Sequence, residues 1–294
     1  VTETPLPDDA ARAAIAAALR EDRAGEDVTS KALVPADASG SAMIRTKEAG
    51  VVAGLDVAAA AFAHVDPRVR FQGAVRDGAR AAPGAVLARV AGPLRSLLAG
   101  ERTAVNFVQR MSGVATLTAQ FVEAVRGTRA RILATRKTAP GLRAFDLAAV
   151  RAGGGDVHRE SLADRVLVKA NHLDAARAAG TAKSMADVVA LLAERRPGVP
   201  VGVEVVDLED LRAALVPGVE VVLLDNFALP LLAEAVKVRD AAFPGGGGPL
   251  LEASGGVTLE TVRSYAETGV DRISVGALTH SARALDVSMK VLPA

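Results

Sequence analysis

The sequence predicts an α/β fold, a mixed α/β N-terminal domain followed by a β/α barrel, and three observations carry that expectation. In the C-terminal two-thirds, six short runs rich in leucine and β-branched residues alternate with stretches of helical periodicity, the pattern of parallel strands. Each run ends on a polar or glycine residue, as barrel strands do where their loops converge on one mouth. Upstream, residues 40–92 change to shorter alternating segments separated by close turns. The 294 residues suffice for two domains or one large barrel.

Over residues 8–22, Ile15, Ala18 and Leu19 share a face while Arg12, Arg20, Glu21 and Asp22 lie elsewhere, which predicts an amphipathic helix. Segments 41–45 and 71–75 read as strands, and Asp77-Gly78 and Pro83-Gly84 as turns, giving a small mixed sheet with a helix over about 55–64. A long helical pattern runs from Pro93 to about Arg126, with a break expected at Ser112-Gly113. The barrel strands are expected at 131–135, 166–169, 201–204, 221–225, 250–254 and 272–276. Ser184 and Asp187 fit a capping box, and helices are expected over 207–215 and 258–268. The glycine run 245–248, between Pro244 and Pro249, is an outer loop.

Composition excludes several classes. With no cysteine there is neither a disulfide framework nor a thiolate site. No apolar run approaches the length of a membrane span, and the acidic N-terminus has no look of a signal peptide, so a cytoplasmic protein is expected. A net charge of +1, no Trp and a single Tyr argue against nucleic acid and membrane partners. Basic residues cluster locally at strand ends, which points to a small anionic ligand.

The candidate residues follow from those ends. Arg136 and Lys137, flanked by Thr135 and Thr138, make a compact anion site, a planar fork beside a point charge. The alternative is a solvated basic turn. Gly153-Gly154-Gly155 leads to His158 and Arg159, a switchable donor and a second fork, and the next strand ends on Lys169. Glu204 and Asp225 end consecutive strands, where carboxylates commonly hold Mg²⁺; they also suit ion pairs with Lys137 and Lys169. Ser254-Gly255-Gly256 and Gly276 end the last strands, where barrels bind phosphate, although tight turns demand the same glycines. His64, His172 and His280 have no metal-trio spacing. Glu101-Arg102 alone reads as a surface ion pair.

Together these motifs resemble the quinolinate phosphoribosyltransferase family, the decarboxylating nicotinate-nucleotide pyrophosphorylases. The resemblance rests on residues 135–141, 153–155, His158-Arg159, Lys169-Ala170-Asn171-His172, 204–209, Leu224-Asp225-Asn226, 252–256 and 275–281, with 101–106 and 112–116 upstream. It implies an N-terminal α/β sandwich-like domain over 1–113, joined by 281–294, and an open barrel of about seven strands over 114–280. It also implies transfer of ribose phosphate from phosphoribosyl diphosphate to quinolinate, with loss of diphosphate and CO₂, in NAD synthesis. On this resemblance Arg136, Arg159 and Lys169, assisted by His158, hold the acid. Arg102 reaches in from a partner subunit, making a homodimer the minimum unit, with higher assembly open. Lys137, Glu204 and Asp225 match the catalytic groups around the diphosphate donor, with Glu204 and Asp225 on Mg²⁺. Ser254, Gly255, Gly256 and Gly276 match the 5′-phosphate cradle.

The sequence departs from the family at Ala134, Leu147, Val157, Ser161 and Ala170, expected to lie on the acceptor side of the pocket. A paralogue acting on another aromatic acid or N-heterocycle is therefore the alternative. A lyase using Lys169 or Lys137 as a Schiff-base amine and a silent phosphate-binding protein are the readings from other classes.

Overall fold

Asp8 caps the first helix, α1 (Asp9–Glu21), by accepting from the Ala11 amide at 2.7 Å, and Ile15 and Leu19 are buried on its inner face. This computed structural model describes residues 8–292. The chain continues through α2 (Val28–Leu33), β1 (Ser39–Thr46), β2 (Gly50–Val51), α3 (Leu55–Val65), β3 (Arg70–Gly73), β4 (Arg80–Ala81), β5 (Val86–Pro93) and α4 (Leu94–Ala124). Next come β6 (Arg131–Ala134), α5 (Arg143–Ala152), β7 (Asp156–Val157), β8 (Val166–Val168), α6 (Ala170–Ala178), α7 (Met185–Arg195), β9 (Val201–Val205) and α8 (Leu208–Ala214). The last elements are β10 (Val219–Asp225), α9 (Leu229–Ala242), β11 (Leu250–Ser254), α10 (Val262–Glu267), β12 (Arg272–Val275), α11 (Ala277–His280) and β13 (Val287–Leu292).

Two compact units result. The first comprises the chain up to Ala119, the segment Lys137–Gly155 and the C-terminal segment from Leu278. Its main sheet has the order β13-β1-β5-β3, and every pairing in it is antiparallel. The expected mixed sheet is thus corrected: alternation such as buried Ala42 and Ile44 in β1 marks a strand but carries no direction, which the returning connections set. The break expected in α4 is also absent. Gly113 serves a close approach instead, since a Cβ there would sit 2.2 Å from the Arg283 carbonyl oxygen. Beside it, buried Ser112 accepts from the Ala53 amide at 3.0 Å, tying α4 to the segment after β2.

The second unit, Gln120–Arg136 with Asp156–Ala277, holds a curled parallel sheet of seven strands in the order β7-β6-β12-β11-β10-β9-β8. All six expected strands are present, together with β7, a two-residue strand with no apolar run to announce it. Although consecutive in the chain, β7 and β8 form the two edges, so the barrel is open between them. Ser184 and Asp187 form the expected capping box on α7. Among the described residues no helix is long and apolar enough to cross a membrane.

Candidate active site

The register of the parallel sheet decides which side chains meet. Paired residues on neighbouring strands point to the same face, and every second residue returns to it. Glu204 pairs with Leu223, Leu223 with Glu252, and Glu252 with Arg272; one layer higher, Asp225 pairs with Ser254 and Ser254 with Ser274. This polar face is the lumen. On the opposite face Val203, Val222, Leu224, Leu251, Ala253 and Ile273 are all fully buried, and the helices pack on that side. Leu167 pairs with Gly202, so Lys169, two residues on, falls beside Glu204, and the two form an ion pair.

The cations arrive from the open side. Arg136 follows β6, and its Nε is buried with no hydrogen-bond partner among the described residues. His158 and Arg159 follow β7 directly. The Arg159 guanidinium donates to the Arg165 carbonyl at 3.3 Å. Its pKa is lowered, chiefly by burial and then by the neighbouring Arg136 charge, against the pull of Asp164 and Glu204. Asp164 holds the intervening loop by accepting from the Glu160 and Ser161 amides, each at 2.8 Å. Arg136, Arg159, Lys169 and Glu204 are thus one electrostatic cluster.

Below it lies a residue that sequence reasoning quoted within a motif but gave no role. Glu252 is 0 % exposed; its Oε1 accepts from the Ser274 hydroxyl, and its Oε2 is 3.8 Å from His158 Nε2. Neither Glu252 Oε2 nor His158 Nε2 has a hydrogen-bond partner among the described residues. Burial pushes the Glu252 carboxyl up to about 7, despite the Ser274 hydrogen bond and the charges of Arg272 and Arg165. Burial, with Arg165, Arg159 and Arg272 nearby, holds the His158 imidazole down to about 4. The one signal in the sequence was a carboxylate at an inward position in the middle of a buried strand.

The β10 and β11 ends form a tight pair of turns. Asn226 has φ 56, donates its amide to the Ser254 carbonyl at 2.8 Å, and donates from Nδ2 to Asp225 at 3.0 Å. Gly255, at φ +102, passes so close that a Cβ would lie 2.1 Å from Asn226 Oδ1. Glycine is therefore obligatory there on two counts. Gly256 and Gly276 complete the strand-end glycines on the same unit.

Lys137 and Arg102 belong to the first unit. The Lys137 side is exposed, while its carbonyl accepts from Thr279 Oγ1 at 2.8 Å. Arg110 donates to both oxygens of the fully buried Asp146, at 2.9 and 2.8 Å, and to the Thr279 carbonyl at 3.3 Å. Asp146 also accepts from the Ala139 amide at 3.1 Å. This network holds the loop that carries Lys137. Arg102 is exposed on α4, lining a cleft of about 420 Å³ with Glu21, Asp22, Asn106 and Phe107.

The residues that depart from the family stand on several elements. Ala134 pairs with Val275 and Val157, on the face opposite the lumen. Leu147 is buried on α5 in the first unit, and Ala170 is exposed at the start of α6. For Ala134 and Val157 it is strand parity, and not proximity in sequence, that sets the face.

As for metal, no cluster of three His, Asp or Glu suited to an ion exists among the described residues. Glu204 and Asp225 stand on one face of adjacent strands as a pair of carboxylates, the donor type that suits a hard cation such as Mg²⁺.

Comparison with known proteins covers the whole arrangement. Residues 27–112 match the quinolinate phosphoribosyl transferase N-terminal domain, and residues 114–290 match the C-terminal domain of the same family. The chain is 45% identical to a nicotinate-nucleotide pyrophosphorylase [carboxylating] of Mycobacterium leprae, over 96% of this chain and 97% of the relative. It is 41% identical to a mitochondrial quinolinate phosphoribosyltransferase [decarboxylating] of Nicotiana glauca, covering 90% and 77% of the two chains. Among solved structures, the nicotinate-nucleotide pyrophosphorylase of Francisella tularensis superposes with a TM-score of 0.87 at 32% identity, covering 98% of each chain. NadC from Streptococcus pyogenes gives 0.86 at 35% identity, over 99% of this chain and 100% of the other. With both domains matched in order, the chain belongs to the quinolinate phosphoribosyltransferase family.

Proposed function

We propose that this enzyme transfers the phosphoribosyl group of phosphoribosyl diphosphate to the ring nitrogen of quinolinate and releases diphosphate and CO₂. The product is nicotinate mononucleotide, a precursor in NAD biosynthesis. The observation that carries this reading is the crowding of Arg136, Arg159 and Lys169 around one lumen, with Glu204 as the nearby counter-charge. Such a cluster suits a small planar dianion: two forks and a point charge for two adjacent carboxylates.

The roles follow from position. Arg136, Arg159 and Lys169 bind the acid, and His158 donates to it from beneath. Glu204 and Asp225 face the donor ribose, where they stabilise positive charge as diphosphate departs. Glu204 and Asp225 would hold a Mg²⁺ bound with diphosphate, which would supply charge neutralisation for the leaving group, a task the family resemblance also assigns to Lys137. Ser254, Gly255, Gly256 and Gly276 receive the 5′-phosphate through backbone amides. After transfer the ring nitrogen is cationic, so it accepts the electron pair left when the adjacent carboxylate leaves as CO₂. No enzyme nucleophile is required, and the Lys169 ammonium, paired with Glu204, is poorly disposed to act as a Schiff-base amine. Arg102 completes the acid pocket of a partner subunit in a homodimer.

The paralogue reading rests on Ala134, Leu147, Val157, Ser161 and Ala170, of which Ala134 and Val157 stand on the strand face opposite the lumen. Incubation with phosphoribosyl diphosphate, Mg²⁺ and quinolinate, followed by mass spectrometry, tests the assignment. Nicotinate mononucleotide and CO₂ are expected; turnover of a different acid or heterocycle with none of quinolinate would overturn it.

A further inference from the structure

The mechanism above leaves unused the most deeply buried acid of the lumen. Glu252 and His158 each present one atom with no hydrogen-bond partner, and those two atoms face each other at 3.8 Å. Leaving either buried group unsatisfied costs its full desolvation, so two mutually facing orphans call for a proton between them. The surroundings admit one proton and not two. Arg159, Arg165 and Arg272 all act on the imidazole, and Arg272 and Arg165 also act on the carboxyl, so a second positive charge is opposed. Arg165 Nη1 is itself buried without a hydrogen bond, 3.6 Å from Glu220 Oε2. The Ser274 hydroxyl occupies Glu252 Oε1, which fixes the carboxyl plane and leaves Oε2 to His158.

Resting on the quinolinate reading, we propose that Glu252 is a positioning residue for acceptor binding, sharing a single proton with His158 beneath the acid pocket. In the free enzyme the proton sits on Glu252 Oε2, directed at His158 Nε2 3.8 Å away. The imidazole is then neutral, with its own N–H on Nδ1. When a dianionic acid is seated against Arg136 and Arg159, the added negative charge draws the proton across. The Oε2–H bond breaks, the Nε2–H bond forms, and an imidazolium faces the acid while the Glu252 carboxylate remains behind it. No proton is taken from solvent. The site thus gains a third local cation only when the ligand supplies the charge to balance it, and avoids a buried imidazolium otherwise.

The test uses full-length enzyme labelled with ¹⁵N-histidine, with the His158 signals assigned by their loss in His158→Gln. In the free protein at pH 6, one neutral tautomer with an unprotonated Nε2 is expected; a protonated ring, or rapid exchange between tautomers, would overturn the shared proton. Saturation with quinolinate should move both ring nitrogens to imidazolium positions, and a ring that stays neutral in the complex would sink the transfer. Glu252→Gln keeps an acceptor for the Ser274 hydroxyl and an N–H directed at His158 Nε2 but cannot yield that proton. In that variant His158 should remain neutral with quinolinate bound, and quinolinate KM should rise by roughly tenfold, the value of making a hydrogen bond charge-assisted. The KM for phosphoribosyl diphosphate should be unchanged. Equal loss on both substrates would mark Glu252 as merely structural, and an unaltered quinolinate KM would dismiss it. If quinolinate fails to bind the wild-type protein, the functional assignment fails on its own, while the free-enzyme spectra still decide the proton's position.

Discussion

Arg136 concentrates the energetic argument, because its Nε is buried and unbonded in a lumen that also repels it through Arg159. A bound carboxylate resolves both costs at once. Arg136→Ala should therefore raise quinolinate KM and lower turnover, with a loss of about 1.5–3 kcal/mol in kcat/KM, as expected for a charge-assisted bond. Steady-state kinetics with each substrate varied in turn will check it; a defect confined to the donor would relocate the acid. The pair beneath makes a prediction about pH. Glu252 has its folded pKa raised from 4.5 to about 7, so its contribution is fully present at low pH and is lost as pH rises toward 7. His158 has its folded pKa lowered from 6.5 to about 4, so its contribution is present above 6.5 and is lost as pH falls toward 4. Between about 4.5 and 6.5 the two slopes oppose each other and largely cancel. Glu252→Gln removes one of them. Urea unfolding of that variant should gain stability steeply from pH 4.5 to 6.5, where the wild-type protein is nearly flat; parallel curves would contradict it.

Elements decide where these residues stand, and they were unequally legible. The six longer barrel strands announce themselves by Val and Leu runs with polar ends, and Glu204, Asp225 and Ser254 were readable as lumen residues from those ends alone. Strand β7 was not, because two residues carry no periodicity, and it owes its place to pairing with β6. The same limit hides the face of Ala134 and Val157, which is fixed by register with β12 and β6 and which no local pattern encodes. Glycines misled in the other direction. Gly113 suggested a helix break, yet it is the point where the Arg283 backbone crosses an unbroken helix. Gly113→Ala should thus destabilise the protein by about 1–3 kcal/mol through overpacking, outweighing the helix propensity gained, of about 1 kcal/mol. A higher melting temperature would mean that the two backbones can part at little cost. Gly255→Ala should act locally, since its Cβ would meet Asn226 and distort the turn beside Asp225. Its expected signature is a raised KM for phosphoribosyl diphosphate with a near-normal melting temperature.

At the scale of the whole molecule, the proposed site draws on chain segments that do not fold together. Arg136, Arg159 and Lys169, proposed to bind the acid, belong to the barrel unit, whereas Arg102 is exposed on α4 among residues of the first unit. The family resemblance assigns Arg102 to the acid pocket of a partner, which makes subunit exchange a direct test. Arg102→Ala and Arg136→Ala homodimers should each be nearly inactive. In a mixed dimer, the subunit carrying Arg102→Ala keeps its own Arg136 and receives an intact Arg102 from the other chain, so one of its two sites is whole. The second site lacks both arginines. Random exchange of equal amounts makes about half the dimers mixed, so activity should recover to about a quarter of the wild-type value. Recovery must follow the kinetics of exchange and vanish if the subunits are cross-linked before mixing. An unmixed level of activity after full exchange, verified by mass spectrometry of the mixed dimer, would place Arg102 in its own subunit's pocket or outside the site altogether.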